Sequence, residues 1–142
     1  MYKSSIEEEL NSKGELVYTN VGDSMSPLIR PEGDIIIIKK CSGRLKKYDI
    51  PLYKRANGKY ILHRVMKVRK DGTYIMCGDN RWRREKGIKD ENVLGILSSV
   101  VRNGKENDLC GFRYSLYLFF WCRLYYLRAT LLLIKGFIKK GA

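Results

Sequence analysis

The 142 residues hold only a single histidine, three prolines and four scattered cysteines. Cys41, Cys77, Cys110 and Cys122 form no C-x-x-C pair. Without clustered ligands a structural zinc site is excluded, and no metal or cofactor is expected. Scattered cysteines fit free thiols in a reducing, cytoplasmic setting. Met1 to Leu10 carries three consecutive glutamates and no apolar run, so no secretory signal is expected there. Residues 112–142 contain no acid at all, and Arg123, Arg128 and Lys135 interrupt their apolar stretch. A spanning helix needs ~20 mostly apolar residues, so these interruptions count against one.

What is present is enough for one core. A hydrophobic fraction of 44%, with 11% aromatic, supports a folded domain and argues against disorder. The formal charge of +13 is unevenly spread. Residues 1–23 are net −3, residues 24–111 are net +10, and residues 112–142 are net +6. That balance favours anionic surfaces, lipid or nucleic acid.

Residues 4–13 read as a short helix capped by Ser4 or Ser5 and stopped by Gly14. Strands are expected over Glu15 to Val21, over Asp34 to Lys40 (buried on both faces), and over Asp49 to Lys54, where Pro51 suggests an edge. Asn57-Gly58 and Asp71-Gly72 mark tight hairpin turns. Between them Tyr60 to Arg69 reads as one long strand, and Thr73 to Cys77 returns from the second. Gly78 to Glu85 reads as a loop and Asn92 to Arg102 as the last strand, closed by Asn103-Gly104. The spacing predicts a mostly β protein with a coiled, barrel-like antiparallel sheet. Phe112 to Lys140 differs in kind. On a helical projection Arg113, Arg123, Arg128, Lys135 and Lys139 share one side, opposite Leu118, Phe119, Tyr125, Tyr126, Leu132, Leu133 and Phe137. That pattern predicts a helix lying in a membrane interface, against the alternative of a helix or pair packed on the sheet.

The chain is organised around Val21 to Asp34. Ser24 sits between Gly22 and Pro27, where the backbone must turn, and Pro31-Glu32-Gly33-Asp34 delivers the chain into the run Ile35 to Ile38. Ser24-Met25-Ser26-Pro27, followed by Gly33-Asp34 and a β-branched run, resembles the nucleophile box of the signal peptidase I and self-cleaving-repressor (S24/S26) serine peptidases. Ile61-Leu62-His63-Arg64-Val65 resembles the base box of the archaeal and endoplasmic-reticulum branch, which uses histidine where the bacterial branch uses lysine. Gly78-Asp79-Asn80 is similar to a third box of the same enzymes. The order matches over residues 20–102.

The resemblance implies a signal-peptidase catalytic fold over residues 1–111, followed by a basic amphipathic segment over 112–142. It implies a serine endopeptidase that cleaves a signal or leader peptide from a precursor. Ser24 would be the nucleophile, His63 the general base, and Asp79 or Glu85 the carboxylate that orients the imidazole. Met25 is expected to pack inward, Ser26 to be a turn hydroxyl and Asp90 a turn residue. The Ser24 N–H is the expected oxyanion donor, since the serine that many relatives carry two residues earlier is Gly22 here. Expected partners are a precursor substrate and an anionic membrane surface touched by residues 112–142, on the cytoplasmic face. If that segment packs on the domain, a cytoplasmic protein is expected instead. The alternative function is a non-catalytic basic β module that binds anionic lipid or nucleic acid through Arg44, Lys46 and Lys47 and through Arg81, Trp82, Arg83 and Arg84. Nucleic acid is the lesser candidate. A self-cleaving repressor ranks last, for want of a helix-turn-helix and a lysine base.

Overall fold

The computed structural model describes residues 5–141. Helix α1 (Ile6–Lys13) starts at Ser5, whose hydroxyl accepts from the Glu8 N–H at 3.1 Å while the Glu8 carboxylate accepts from the Ser5 N–H at 2.8 Å. This reciprocal cap settles the choice on Ser5; Ser4 lies outside the described residues. Gly14 ends the helix with φ at 70°.

Strands β1 (Glu15–Thr19), β2 (Ile35–Lys40), β3 (Pro51–Lys54), β4 (Tyr60–Leu62), β8 (Val93–Arg102) and β9 (Lys105–Asp108) form one sheet. Its order is β1-β2-β8-β3-β4, with β9 also on β8, and it curls as an antiparallel half-barrel. Strands β5 (Arg64–Val68), β6 (Tyr74–Cys77) and β7 (Glu85–Ile88) form a second, three-stranded sheet. The long strand expected from Tyr60 to Arg69 therefore breaks at His63. Leu62 pairs with Leu52 in the first sheet, and Arg64 pairs with Cys77 in the second. The histidine stands where the chain changes sheets.

Two hydrophobic clusters fill the interior. The first joins Leu10 and Leu16 to Met25, Ile29, Ile36, Ile38 and Leu97; the second joins Leu45 and Tyr53 to Val65, Tyr74 and Met76. Strand β2 buries only one face. Ile36 and Ile38 are fully enclosed while Ile35 is exposed, as expected for an antiparallel sheet with one solvated side. Pro51 does not mark an edge either. Strand β3 lies between β8 and β4, and the proline is tolerated because it is the strand's first residue. Where β2 crosses β8, a Cβ on Gly95 would stand 2.7 Å from both Ile38 Cγ2 and the Lys39 carbonyl, so the two strands approach over a bare α-carbon.

After Cys110 the chain forms α2 (Gly111–Tyr117), a wider π-helical stretch (Leu118–Arg123) and α3 (Tyr125–Gly141). The two helical halves bend by 70° at Leu124. Among the described residues no single helix is long and apolar enough to cross a membrane, although the bent pair together passes by length and composition.

Candidate active site

The serine corner is held from below and from the side. Met25 and Ile29 are buried in the first cluster, so the turn is bolted to the core by its apolar residues. The Ser26 hydroxyl donates to the Ile29 carbonyl at 3.2 Å, as a turn hydroxyl should. Asp34, enclosed at the foot of the corner, accepts from the Arg30 N–H at 2.8 Å and from Arg102 Nε at 2.9 Å. From the side comes the Gly78-Asp79-Asn80 loop. The Asn80 N–H donates to the Ser24 carbonyl at 2.8 Å, Asn80 Nδ2 donates to the Asp23 carbonyl at 3.2 Å, and Arg81 pairs with the Asp23 carboxylate at 2.7 Å. The first and third sequence boxes are thus stitched together.

The second box meets them at Gly78. A Cβ built on Gly78 would lie 2.6 Å from the Ser24 carbonyl and 3.0 Å from His63 Nε2. Ser24 and the imidazole therefore border the same bare α-carbon, and any larger residue would fill the space between them. No hydrogen bond joins the Ser24 hydroxyl to His63. The Ser24 N–H donates to no group among the described residues, which leaves it available to a substrate oxyanion.

His63 is mostly buried and its ring meets Tyr53 edge-on at 6.4 Å. Burial, reinforced by the charges of Arg55 and Arg81, pulls its pKa from 6.5 down to about 4. Nδ1 has no hydrogen-bond partner among the described residues. Neither expected orienting carboxylate reaches it. Glu85 accepts from the Tyr53 hydroxyl at 2.6 Å and from Arg55 Nε at 2.9 Å. Partial burial would raise the Glu85 pKa, but those bonds outweigh it and hold the carboxyl below its ordinary value.

Asp79 is spent on Arg64. Both side chains are fully enclosed, joined by two parallel bonds of 2.8 Å. Burial opposes the Arg64 charge, yet Asp79 outweighs it and holds the guanidinium pKa well above normal. Arg64 Nη1 also donates to the Tyr48 carbonyl and to Tyr114, and the Tyr117 hydroxyl donates to Asp79 at 2.7 Å. A buried pair in which every side-chain nitrogen and oxygen has a partner is a structural pin, and this one sets the loop's position.

The residues that complete this pin were not found from the sequence as site residues. Tyr114, Tyr117, Trp121, Tyr125 and Arg128 of the C-terminal segment all reach the Gly78 loop or its buried pair. Trp121 Nε1 donates to the Asp79 carbonyl at 2.7 Å, Tyr125 donates to the Trp82 carbonyl, and Arg128 reaches the Arg81 carbonyl at 3.3 Å and Cys77 Sγ at 3.4 Å. Arg128, expected among the headgroup-facing cations, is instead 1% exposed, because its guanidinium reaches in to the Arg81 and Trp121 carbonyls, while Lys135 and Lys139 stay exposed. The signal was the spacing of polar-tipped aromatics along the segment, at intervals of three and four. Asp90, expected as a turn residue, opens a short 3₁₀ turn and pairs with Arg44 at 2.9 Å.

No protein-family model matches the chain, and no curated protein matches it.

Proposed function

We propose that the chain is a serine endopeptidase of the signal-peptidase type, cleaving a signal or leader peptide from a precursor. The observation that carries this reading is the meeting of the Ser24 corner and His63 Nε2 around Gly78. In the reaction Ser24 Oγ attacks the scissile carbonyl carbon while His63 Nε2 takes the hydroxyl proton. The imidazolium passes that proton to the leaving amine, and water then hydrolyses the Ser24 ester with the same nitrogen as base. A pKa of about 4 leaves the imidazole unprotonated through the neutral range, at the cost of some basicity. Burial and the Tyr53 edge hold the ring, in place of a carboxylate. The peptide binds extended, as a strand added beside His63.

Anionic lipid is the surface on which the enzyme works. Phe112 and Phe137 are each more than three-quarters exposed, and Leu127, Leu131 and Ile138 are also open to solvent, among the exposed cations Lys135, Lys139 and Lys140. That same face favours the second reading, a lipid-binding β module without catalysis. Base stacking is less well served, since Arg83 already lies over the Trp82 ring at 4.7 Å. Incubating candidate precursors with wild type, Ser24→Ala and His63→Ala separates the readings. Cleavage lost in both variants supports the peptidase; equal cleavage by all three removes it.

A further inference from the structure

Beside His63 lies an open cleft of about 350 Å³ lined by Arg55, Arg81, Arg83, Arg84 and Glu85. Its charges are unequally answered. Glu85 takes up Arg55 at 2.9 Å, and Asp23 takes up Arg81 at 2.7 Å. Arg83 and Arg84 have no carboxylate partner among the described residues. Each lies instead over aromatic rings: Arg83 over Trp82 at 4.7 Å, Arg84 over Tyr125 at 4.9 Å and Tyr126 at 5.9 Å. A guanidinium on a ring face loses little hydration and keeps its N–H edge free, and that edge matches a carboxylate in two-point fashion. The cleft therefore presents two braced, unanswered cations next to the imidazole, on a chain whose net charge repels basic peptides.

We propose that the enzyme selects precursors carrying an aspartate or glutamate beside the scissile bond, held by Arg83 and Arg84. The inference rests on the Ser24–His63 peptidase reading for its chemistry, but the recognition step stands apart from cleavage. An acidic side chain seated there answers one of the two spare charges and accepts from both guanidinium edges, whereas its amide analogue leaves both edges without a counter-charge. Discrimination by a charge-assisted pair of this kind is worth on the order of tenfold or more.

The test uses the full chain and quenched peptides with small residues at the cut, each made as an Asp and Asn pair at every neighbouring position. At one or more positions the Asp peptide should show kcat/KM roughly tenfold or more above its Asn twin. The Arg83→Glu, Arg84→Glu double variant should invert that preference and favour a Lys peptide. Cleavage by wild type without any Asp preference overturns the inference and leaves the peptidase intact. If no peptide is cut, anisotropy on the Ser24→Ala protein decides. Tighter binding of Asp than Asn peptides, lost on charge reversal, upholds the recognition while the catalytic reading falls. Equal binding, or binding of a single-stranded oligonucleotide in preference to every acidic peptide, overturns it.

Discussion

The Gly78-Asp79 dipeptide has two sides, and they are built on opposite terms. On the Asp79 side, a fully enclosed Arg64–Asp79 pair is bonded by the half-buried Tyr48, Tyr114 and Tyr117. On the Gly78 side, the Ser24 backbone carbonyl and His63 Nε2 border the same bare α-carbon, with the ring's Nδ1 unbonded. His63 and Arg64 are sequence neighbours, yet one is the least satisfied buried polar side chain of the region and the other the most. The contrast teaches where rigidity ends and reactivity begins. Every bond on the Asp79 side fixes the loop, while the Gly78 side leaves its groups uncommitted; under the proposed peptidase reading these are the groups a substrate would meet.

Breaking the satisfied side should have the largest effect on the fold. Asp79→Ala strands a buried guanidinium and should lower stability by about 3–5 kcal/mol, read by denaturant unfolding. A change below about 1 kcal/mol would mean that the pair is not a pin.

Next comes the pH response of the unsatisfied side. The folded-state pKa of His63 is about 4, against 6.5 for an unperturbed group. Below pH 6.5 the unfolded chain binds the proton and the folded one does not, so stability falls as pH drops from 6.5 toward 4. The full loss is about 3 kcal/mol, and His63→Gln should remove this slope from a pH series of unfolding curves.

Filling the gap is a smaller change with a local target. Gly78→Ala places a methyl 2.6 Å from the Ser24 carbonyl, which is backbone and cannot swing aside. We expect a cost of about 1–3 kcal/mol in stability and a loss of activity of about 10²-fold, read by thermal unfolding and precursor cleavage.

The smallest effect is expected at Glu85, the second candidate for the carboxylate that orients the base. Glu85→Gln keeps a bond acceptor for Tyr53 and removes a partly exposed ion pair with Arg55, so stability should fall by about 1 kcal/mol or less. Activity should change less than threefold; a hundredfold loss would return Glu85 to the role of orienter.

Much of the fold was legible in the chain, and the failures are local. The Ser5 cap, the Gly14 stop and the Asn57-Gly58 and Asp71-Gly72 turns carry their own chemistry, so they read correctly. Strand β9, Lys-Glu-Asn-Asp, is exposed at all four positions and has no apolar alternation; only its pairing with β8 across Asn103-Gly104 makes it a strand. Strand β7 holds Gly87 and one buried residue, so no strand was expected there. The break at His63 has no glycine or proline to announce it, because the change of sheet is made by partners far along the chain. Of the candidate site, the three boxes and their order were visible. The capture of Asp79 by Arg64 was not, since it is completed by Tyr114 and Tyr117, which lie in the segment expected at the membrane.

The central claim is that His63 activates Ser24 across Gly78. Treatment with a fluorophosphonate, followed by peptide mass spectrometry, tests it without knowledge of the substrate. The account predicts a single adduct on Ser24 in wild type, absent in His63→Ala and retained in Glu85→Gln. An unlabelled wild type, or equal labelling of Ser24 once His63 is gone, would contradict it.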